Sequence, residues 1–502
     1  MNSRRNTQHG HHGGDTSRPA APHLWPITAT LGADGHLIVG GCDTLALARD
    51  YGTPLYLLDE ATFRANCRAY RVALARHYPG PSSVQYAGKA LLNTAVARLV
   101  MQEGLGLDAV SGGEVYVALR AGIPPERIHL HGNGKTRAEL QQALDSGIGT
   151  IMVDNLDELA LLARLTAGRA SPQAIAFRLT PEIAAETHAH IQTGHAASKF
   201  GLPLAALDTA AGLALAAPGL RLHGLHAHLG SQLFAPEVYV QAINVLLDCA
   251  ARLRARYGLA IDTISPGGGL GVPYVPEQAA PDLDAYAAAV GRALAEGAAA
   301  RGLPPPRLVV EPGRSIVARA GVALYEVVGR KRVAFTVPRT EGGAKAIHGE
   351  PWTGNDGRRT EECGRISAHE THTAEPGTQN RATIYVHIDG GMGDNIRPAL
   401  YGARYTALLA NRAAEAPAET VHISGRYCES GDVLIHDIAL PAAVPGDVLA
   451  VAAAGAYTLS MASNYNLAPR PALLLVGEGR ARLIQRRETY EDLVARDGGG
   501  DE

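Results

Sequence analysis

SVQYAGKALLNTAVARLVMQ, residues 83–102, is the stretch from which the fold of this chain is read. It opens on a short apolar β-type run, SVQYA (83–87), passes through Gly88 and Lys89, and continues as LLNTAVARLVMQ with helical spacing. The same order returns along the chain. The β-type runs are LDAV (107–110), RIHLH (127–131), TIMV (150–153), AIAFRL (174–179), RLHGLH (221–226), IDTI (261–264) and RLVV (307–310). Ala/Leu-rich segments lie between them. In PEVYVQAINVLLDCAARLRARYG (236–258), Val238, Ile243, Val245, Leu246, Leu247, Ala250 and Leu253 fall on roughly one helix face. Eight strands alternating with helices over about 250 residues is the size of an α/β (β/α)8 TIM-like barrel. An open doubly wound sheet is the competing architecture. The polar residues favour the barrel, because Lys89, Ser111, His131, Asp154, His228, Gly267 to Gly269 and Glu311 all stand just past strand ends. Barrel enzymes keep their chemistry on that rim.

Beyond about residue 320 the texture changes. VALYEVVG (322–329), TIYVHID (383–389), TVHISG (420–425), DVLIHDI (432–438), DVLAVAAAGAY (447–457) and RPALLLV (470–476) are short β-type runs separated by Gly, Pro and Asp turns. They predict a mainly β C-terminal domain, a sandwich or small Greek-key barrel, over 319–490. ADGHLIVGG (33–41) is expected to add a strand to it, so 25–52 is assigned there and the barrel to 53–318. Residues 1–24 and 491–502 are read as tails, the first disordered. Residues 338–381 hold few apolar side chains and read as a flexible insertion.

The chain has 502 residues, 46% of them hydrophobic, and a net charge of −3, which excludes wholesale disorder. Charge gives no reason to expect nucleic acid or an anionic membrane as partner. No apolar run reaches the length of a membrane helix, and the N-terminus lacks the apolar stretch of a secretory signal. Cys42, Cys67, Cys249, Cys363 and Cys428 are widely spaced, with no CxxC pair. A disulfide framework or structural zinc site is not expected, no metal is assigned, and the cytoplasm fits best. His9, His11 and His12 read as part of a solvated arm.

Four motifs carry chemistry. Lys89 follows the first barrel strand, where burial in the barrel mouth is expected to lower its proton affinity and suit it to condense with a carbonyl. SPGGGLG (265–271) follows strand seven, and Gly267, Gly268 and Gly269 expose backbone N–H groups to an anion such as phosphate. EPGR (311–314) follows strand eight and brings Glu311, Pro312, Gly313 and Arg314 to the same mouth. A lysine, a phosphate cradle and a carboxylate on one cavity are what pyridoxal 5′-phosphate needs, Glu311 keeping the ring nitrogen protonated. In HAHLGSQ (226–232), His228 is placed to lie against the ring and Ser231 to reach the phosphate. HGNGKTR (131–137) is not a phosphate-binding P-loop, because that pattern needs glycine where His129 stands.

These motifs resemble fold-type III pyridoxal-phosphate decarboxylases, and among them the branch acting on meso-diaminopimelate. The likeness extends to GLGLDAVSGGE (104–114), VDNLDEL (153–159), QTGHAASKFG (192–201), DGGMGDNIRPALYGA (389–403), CESGD (428–432) and GAYTLSMASNYN (455–466). The resemblance implies a homodimer with shared active sites and an amino-acid substrate. It implies that Lys89 carries the cofactor and that Tyr457 touches cofactor and substrate. Arg314, Arg397 and Tyr401 are implied as the grip on a distal carboxylate, and Cys428 and Glu429 as a pair from the partner subunit. A guanidinium matches a carboxylate bidentately, Glu429 suits a distal ammonium, and Cys428 is implied as the general acid. The implied reaction is decarboxylation of meso-2,6-diaminopimelate to L-lysine and carbon dioxide. The alternative is a sibling acting on another basic amino acid or a carboxylated polyamine. A racemase is disfavoured by CESGD, and a non-catalytic relative by the intact Lys89, Glu311 and Cys428. The insertion and the proline of SPGGG depart from the family pattern, and neither touches a residue assigned chemistry.

Overall fold

The computed structural model describes residues 17–183, 199–338 and 378–498. The larger unit is a closed parallel barrel of Ser82–Ala87, Gly106–Ala109, Ile128–Leu130, Thr150–Val153, Gln173–Thr180, Leu220–His226, Thr263–Gly267 and Arg307–Val310. Each strand pairs in parallel with the next, and the eighth returns to the first through Leu308↔Ser82, Val309↔Ser83 and Val310↔Val84. All eight expected runs are barrel strands, and closure excludes the doubly wound alternative. Gly106–Ala109 and Thr150–Val153 are buried along their whole length, as strands covered on both faces must be.

Helix caps position the loops on the functional rim. The Asn93 side chain accepts from Ala95 N (3.0 Å) and Val96 N (2.9 Å), starting Thr94–Gln102 just beyond Lys89. Ser111 caps Gly112–Ala121, and Thr136 with Glu139 forms a capping box on Arg137–Ser146. These bonds satisfy helix N–H groups that have no partner within the helix. The polarity of Ser111 at the rim is therefore that of a helix start.

The second unit is a nine-stranded mixed sheet. Its order is Val433–Leu440, Glu419–Ser424, Thr378–Ile388, Gly321–Pro338, Leu55–Asp59, Ala472–Gly477 and Arg480–Gln485, with Val448–Val451 pairing both Gly321–Pro338 and Ala407–Leu409. Leu55–Asp59 corrects the expected barrel boundary at residue 53. It pairs with Gly321–Pro338 through Gly321↔Leu58 and with Ala472–Gly477 through Ala472↔Leu55. Tyr56 and Leu58 face the barrel-side core, while Leu55 and Leu57 face a second core on the other side of the sheet. The two-residue period of a strand makes this one segment serve both.

The N-terminal expectations also change. Leu24 and Trp25 are 0% and 1% exposed, so the expected tail is already packed at its last residue. Burial of a large aromatic and a leucine outweighs the polar composition around them. Leu37–Val39, from ADGHLIVGG, does not join the large sheet. It forms a separate three-stranded sheet with Thr30–Leu31 and Cys42–Asp43, and Leu37 and Val39 pack into the core that holds Leu55, Leu57 and Val322. The ribbon of Gly321–Pro338 and Thr378–Ile388 stays in register to Pro338↔Thr378, so residue 338 and residues 378–381 are paired backbone and not insertion. The rest of the expected insertion, 339–377, lies outside the described residues, as do 1–16, 499–502 and residues 192–198 of QTGHAASKFG.

Candidate active site

Lys89 sits in the turn Gly88–Ala90, directly after the first barrel strand. It lines a cavity of about 450 Å³ with Asp108, His131, Arg178, His228 and Glu311. A narrower cavity of about 30 Å³ shares Lys89, His228 and Glu311 and continues to Ser231, Gly269, Gly313, Arg314 and Tyr457. The residues singled out at the ends of strands one, six, seven and eight therefore meet around one space.

Glu311 is the most tightly held of them. One carboxylate oxygen contacts His226 Nε2 at 2.9 Å, and the other accepts from Ser265 Oγ at 2.9 Å. His131 Nε2 stands 3.6 Å away. Burial pushes this carboxyl up, but His226 and His131 outweigh it and hold it well below the usual carboxylate range. Burial drives His131 itself well below the usual imidazole value. Asp108 goes the other way: burial, with Glu311 close by, raises it to about 8 against the pull of Lys89.

The expected loss of proton affinity at Lys89 is overturned. Burial does disfavour the ammonium, but Asp108, Tyr457 and Glu311 outweigh burial and Arg178, and the net shift is upward. The barrel mouth is dry but not apolar, and its carboxyl and phenol groups reverse the sign that burial alone would give.

The glycine run forms a cradle closed to side chains. A Cβ on Gly268 would lie 1.9 Å from Glu311 O, and one on Gly269 would lie 2.1 Å from Gly230 O. Gly267 and Gly269 have φ of +80° and +99°, a region that glycine enters without strain. Gly268 N donates to His228 Nδ1 at 3.4 Å. Ser231 accepts from Arg314 Nη2 at 3.0 Å, which places both beside the cradle. Pro312 latches the loop after strand eight to strand one, its carbonyl accepting from Ala87 N at 3.1 Å. Gly313 lies against Ala87 and Ala90 so closely that an added Cβ would stand 3.0 Å from each.

Two buried atoms of residues lining the wider cavity, Asp108 Oδ1 and His131 Nε2, have no hydrogen-bond partner among the described residues. An amine, a cradle without side chains, an ionised carboxylate and unsatisfied polar atoms fit a phosphorylated pyridine aldehyde.

Tyr457 enters from the β domain. Its φ of 58° is unusual for an aromatic residue, and its N–H donates to Ala90 O at 2.9 Å. Arg314 lies over its ring at 4.7 Å. Arg397 begins the short helix Arg397–Tyr401, donates to the Tyr405 hydroxyl, and stacks over Tyr274 at 4.4 Å. Tyr401 closes that helix, half-buried and off the Lys89 cavity. Cys428 and Glu429 lie on an exposed loop, where Cys428 N donates to Asn466 Oδ1 at 3.0 Å. Within one chain they do not line the Lys89 cavity.

A family model described as pyridoxal-dependent decarboxylase, pyridoxal binding domain, matches residues 60–318. A diaminopimelate decarboxylase of Synechocystis is 40% identical over 491 residues, covering 95% of this chain and 94% of the relative. This chain belongs to the diaminopimelate decarboxylase family. The Bacillus subtilis member is 40% identical over 472 residues, 94% of this chain and 97% of the relative. The solved diaminopimelate decarboxylase of M. jannaschii, in complex with L-lysine, is 31% identical with a TM-score of 0.78, covering 94% of this chain and 97% of that one. The cofactor of this pyridoxal-dependent family is pyridoxal 5′-phosphate.

The site of this family member also holds residues that the sequence motifs did not single out. Arg178, inside the apolar run of strand five, lies 4.0 Å from Asp154 and lines the wider cavity beside Asp108. Tyr274 and Tyr405 surround Arg397. Arg178 and Asp108 could have been read as lone charges in buried strands, whereas the two tyrosines carry no spacing signal. Lys135, of the rejected P-loop pattern, donates to Gly132 O (2.6 Å), Met152 O (2.7 Å) and Glu158 (2.8 Å), a clamp on its own loop.

Proposed function

We infer that this chain decarboxylates meso-2,6-diaminopimelate to L-lysine and carbon dioxide, using Lys89 as the point of cofactor attachment. One observation carries the reading. A buried lysine, glycine cradle and ionised Glu311 lie beside a pair of tyrosine-stacked arginines, so a site for the cofactor adjoins a receptor for a carboxylate.

When bound, the cofactor supplies an electron sink for the pair of electrons left by the departing carboxylate. Lys89 would hold its aldehyde carbon, and Glu311 would accept a hydrogen bond from the ring nitrogen. Gly267, Gly268, Gly269 and Gly313, with Ser231, would hold the phosphate, and His228 the ring face. Arg314 and Arg397, with Tyr401 on the same short helix, orient the substrate through its far carboxylate. Tyr457 joins the two halves of the site. Glu429 takes the far ammonium and Cys428 returns the proton at the carbon that lost carbon dioxide. Both come from a partner protomer in a homodimer with shared sites. That assignment is supported by their exposure here and by the exposed Tyr465 (41%) and Leu467 (70%) beside them. No described helix is long and apolar enough to cross a membrane, and we assign the reaction to the cytoplasm, with neither nucleic acid nor membrane as partner.

The test is turnover by the cofactor-loaded protein. Meso-diaminopimelate should yield equimolar carbon dioxide and L-lysine. Turnover of ornithine or arginine with none of meso-diaminopimelate rejects the reading. Borohydride treatment should leave the cofactor's mass on the Lys89 peptide. Lys89→Ala should lose both label and activity, by roughly 1,000-fold or more for the latter.

A further inference from the structure

Tyr274 stands where two cations meet. Its hydroxyl accepts from Arg314 Nη1 at 2.8 Å. The Arg397 guanidinium lies over its ring at 4.4 Å, within the range of a cation–π contact. Two guanidiniums brought together repel each other, and an aromatic ring with an oxygen acceptor is a means of holding both.

The residue is itself fixed from three sides. Tyr274 N donates to Gln278 Oε1 at 2.9 Å, and Thr406 Oγ1 donates to Tyr274 O at 3.1 Å. The Tyr405 ring packs edge-on at 5.2 Å. The loop after barrel strand seven is thereby tied to the β-domain segment leading into Ala407–Leu409. Arg314 in turn bonds Ser231 at the glycine cradle. The chain Ser231, Arg314, Tyr274, Arg397 runs from the cofactor's phosphate site to the substrate's far end.

We propose that Tyr274 is a positioning residue for substrate selection, spacing Arg314 and Arg397 so that together they receive the distal carboxylate of an α-amino diacid. This rests on the assignment of those two arginines as the carboxylate grip. Preorganised donors bind an anion without first being ordered, so loosening them weakens binding more than it slows the chemistry.

The electrostatics agree. Burial would raise the Tyr274 phenol, but Arg314 and Arg397 outweigh it and bring the phenol below the ordinary tyrosine value. Tyr405 is the other titratable group against it, and an exposed Arg404–Glu277 pair (2.7 Å) neighbours both segments. A phenolate formed at higher pH would compete with the substrate carboxylate for the same N–H groups.

The experiment is steady-state kinetics of cofactor-loaded wild type, Tyr274→Phe, Gln278→Ala and Arg397→Ala on meso-diaminopimelate across about pH 7–10. Tyr274→Phe keeps the ring under Arg397 and removes the acceptor for Arg314. Its KM should rise about tenfold with kcat within about threefold. The climb of KM with pH in the wild type should flatten. Gln278→Ala, which frees the Tyr274 backbone without touching the ring, should raise KM by roughly threefold, and it keeps the test alive if Tyr274→Phe fails to fold or load cofactor. A KM that is unchanged or lower in both, or a kcat that falls in step with KM, overturns the proposal. If Arg397→Ala leaves KM unchanged, it is the arginine grip that fails, and absence of wild-type turnover would instead sink the substrate assignment.

Discussion

Removing the Arg397 side chain takes away a buried cation that stacks on Tyr274 and bonds Tyr405. A charge-assisted bidentate contact to a carboxylate is worth about 1.5–3 kcal/mol. Arg397→Ala should therefore raise KM for meso-diaminopimelate roughly 10- to 100-fold. It should narrow the preference over L-lysine, whose far end carries only an amine when its own carboxylate is the one lost. Competition kinetics on the two substrates measures that ratio, and an unchanged ratio removes Arg397 from substrate selection. At this scale the sequence was legible where one residue type at a strand end has one chemical use. Lys89, the glycine run and Glu311 are such cases. It was not legible where function depends on neighbours remote in the chain. The sign of the Lys89 shift is set by Asp108, Tyr457 and Glu311, and Tyr274 acquires its partners only when strand seven's loop meets the β domain.

Elements show the same division. The barrel strands were readable because each is a short apolar run followed by a helix. DVLAVAAAGAY reads as one strand, yet pairing ends at Val451, and Ala453 (φ 53°) and Tyr457 (φ 58°) turn the chain toward Lys89. The turn that delivers Tyr457 is thus a tertiary effect overriding an apolar pattern. A second junction supplies a pH test. Asp394 accepts from Tyr56 (2.8 Å) and Tyr325 (2.5 Å) on two sheet strands and from Gly391 N (2.9 Å) in the loop that leads to Arg397. Burial raises this carboxyl to about 6 from an ordinary 3.8, against those three hydrogen bonds. The folded chain then holds the proton more tightly than the unfolded one. Its contribution to stability is fully present below about pH 3.8, declines as pH rises to about 6, and is absent above. The size is about 3 kcal/mol, two units at 1.36 kcal/mol each. Urea unfolding of wild type and Asp394→Asn at about pH 4.5 and pH 7 should show the wild-type advantage larger at the lower pH by about 2 kcal/mol. An equal advantage at both would mean that Asp394 stays ionised throughout.

For the whole molecule, the placement of Cys428 and Glu429 is decisive. Lys89 is enclosed by barrel and β domain of its own chain, whereas both CESGD residues stand exposed on the β-domain loop near Tyr465, whose hydroxyl donates to Cys428 O at 3.5 Å. If each site takes Lys89 from one chain and Cys428 from the other, two defective variants can repair each other. Lys89→Ala and Cys428→Ala should each be nearly inactive alone. Mixed in equal amounts and allowed to exchange subunits, half the dimers become hybrids. In a hybrid one site carries both defects and the other carries neither. The mixture should regain about one quarter of wild-type activity. A mixture no more active than the mean of its components would place both residues in one chain's site, and the shared-site dimer would have to be given up.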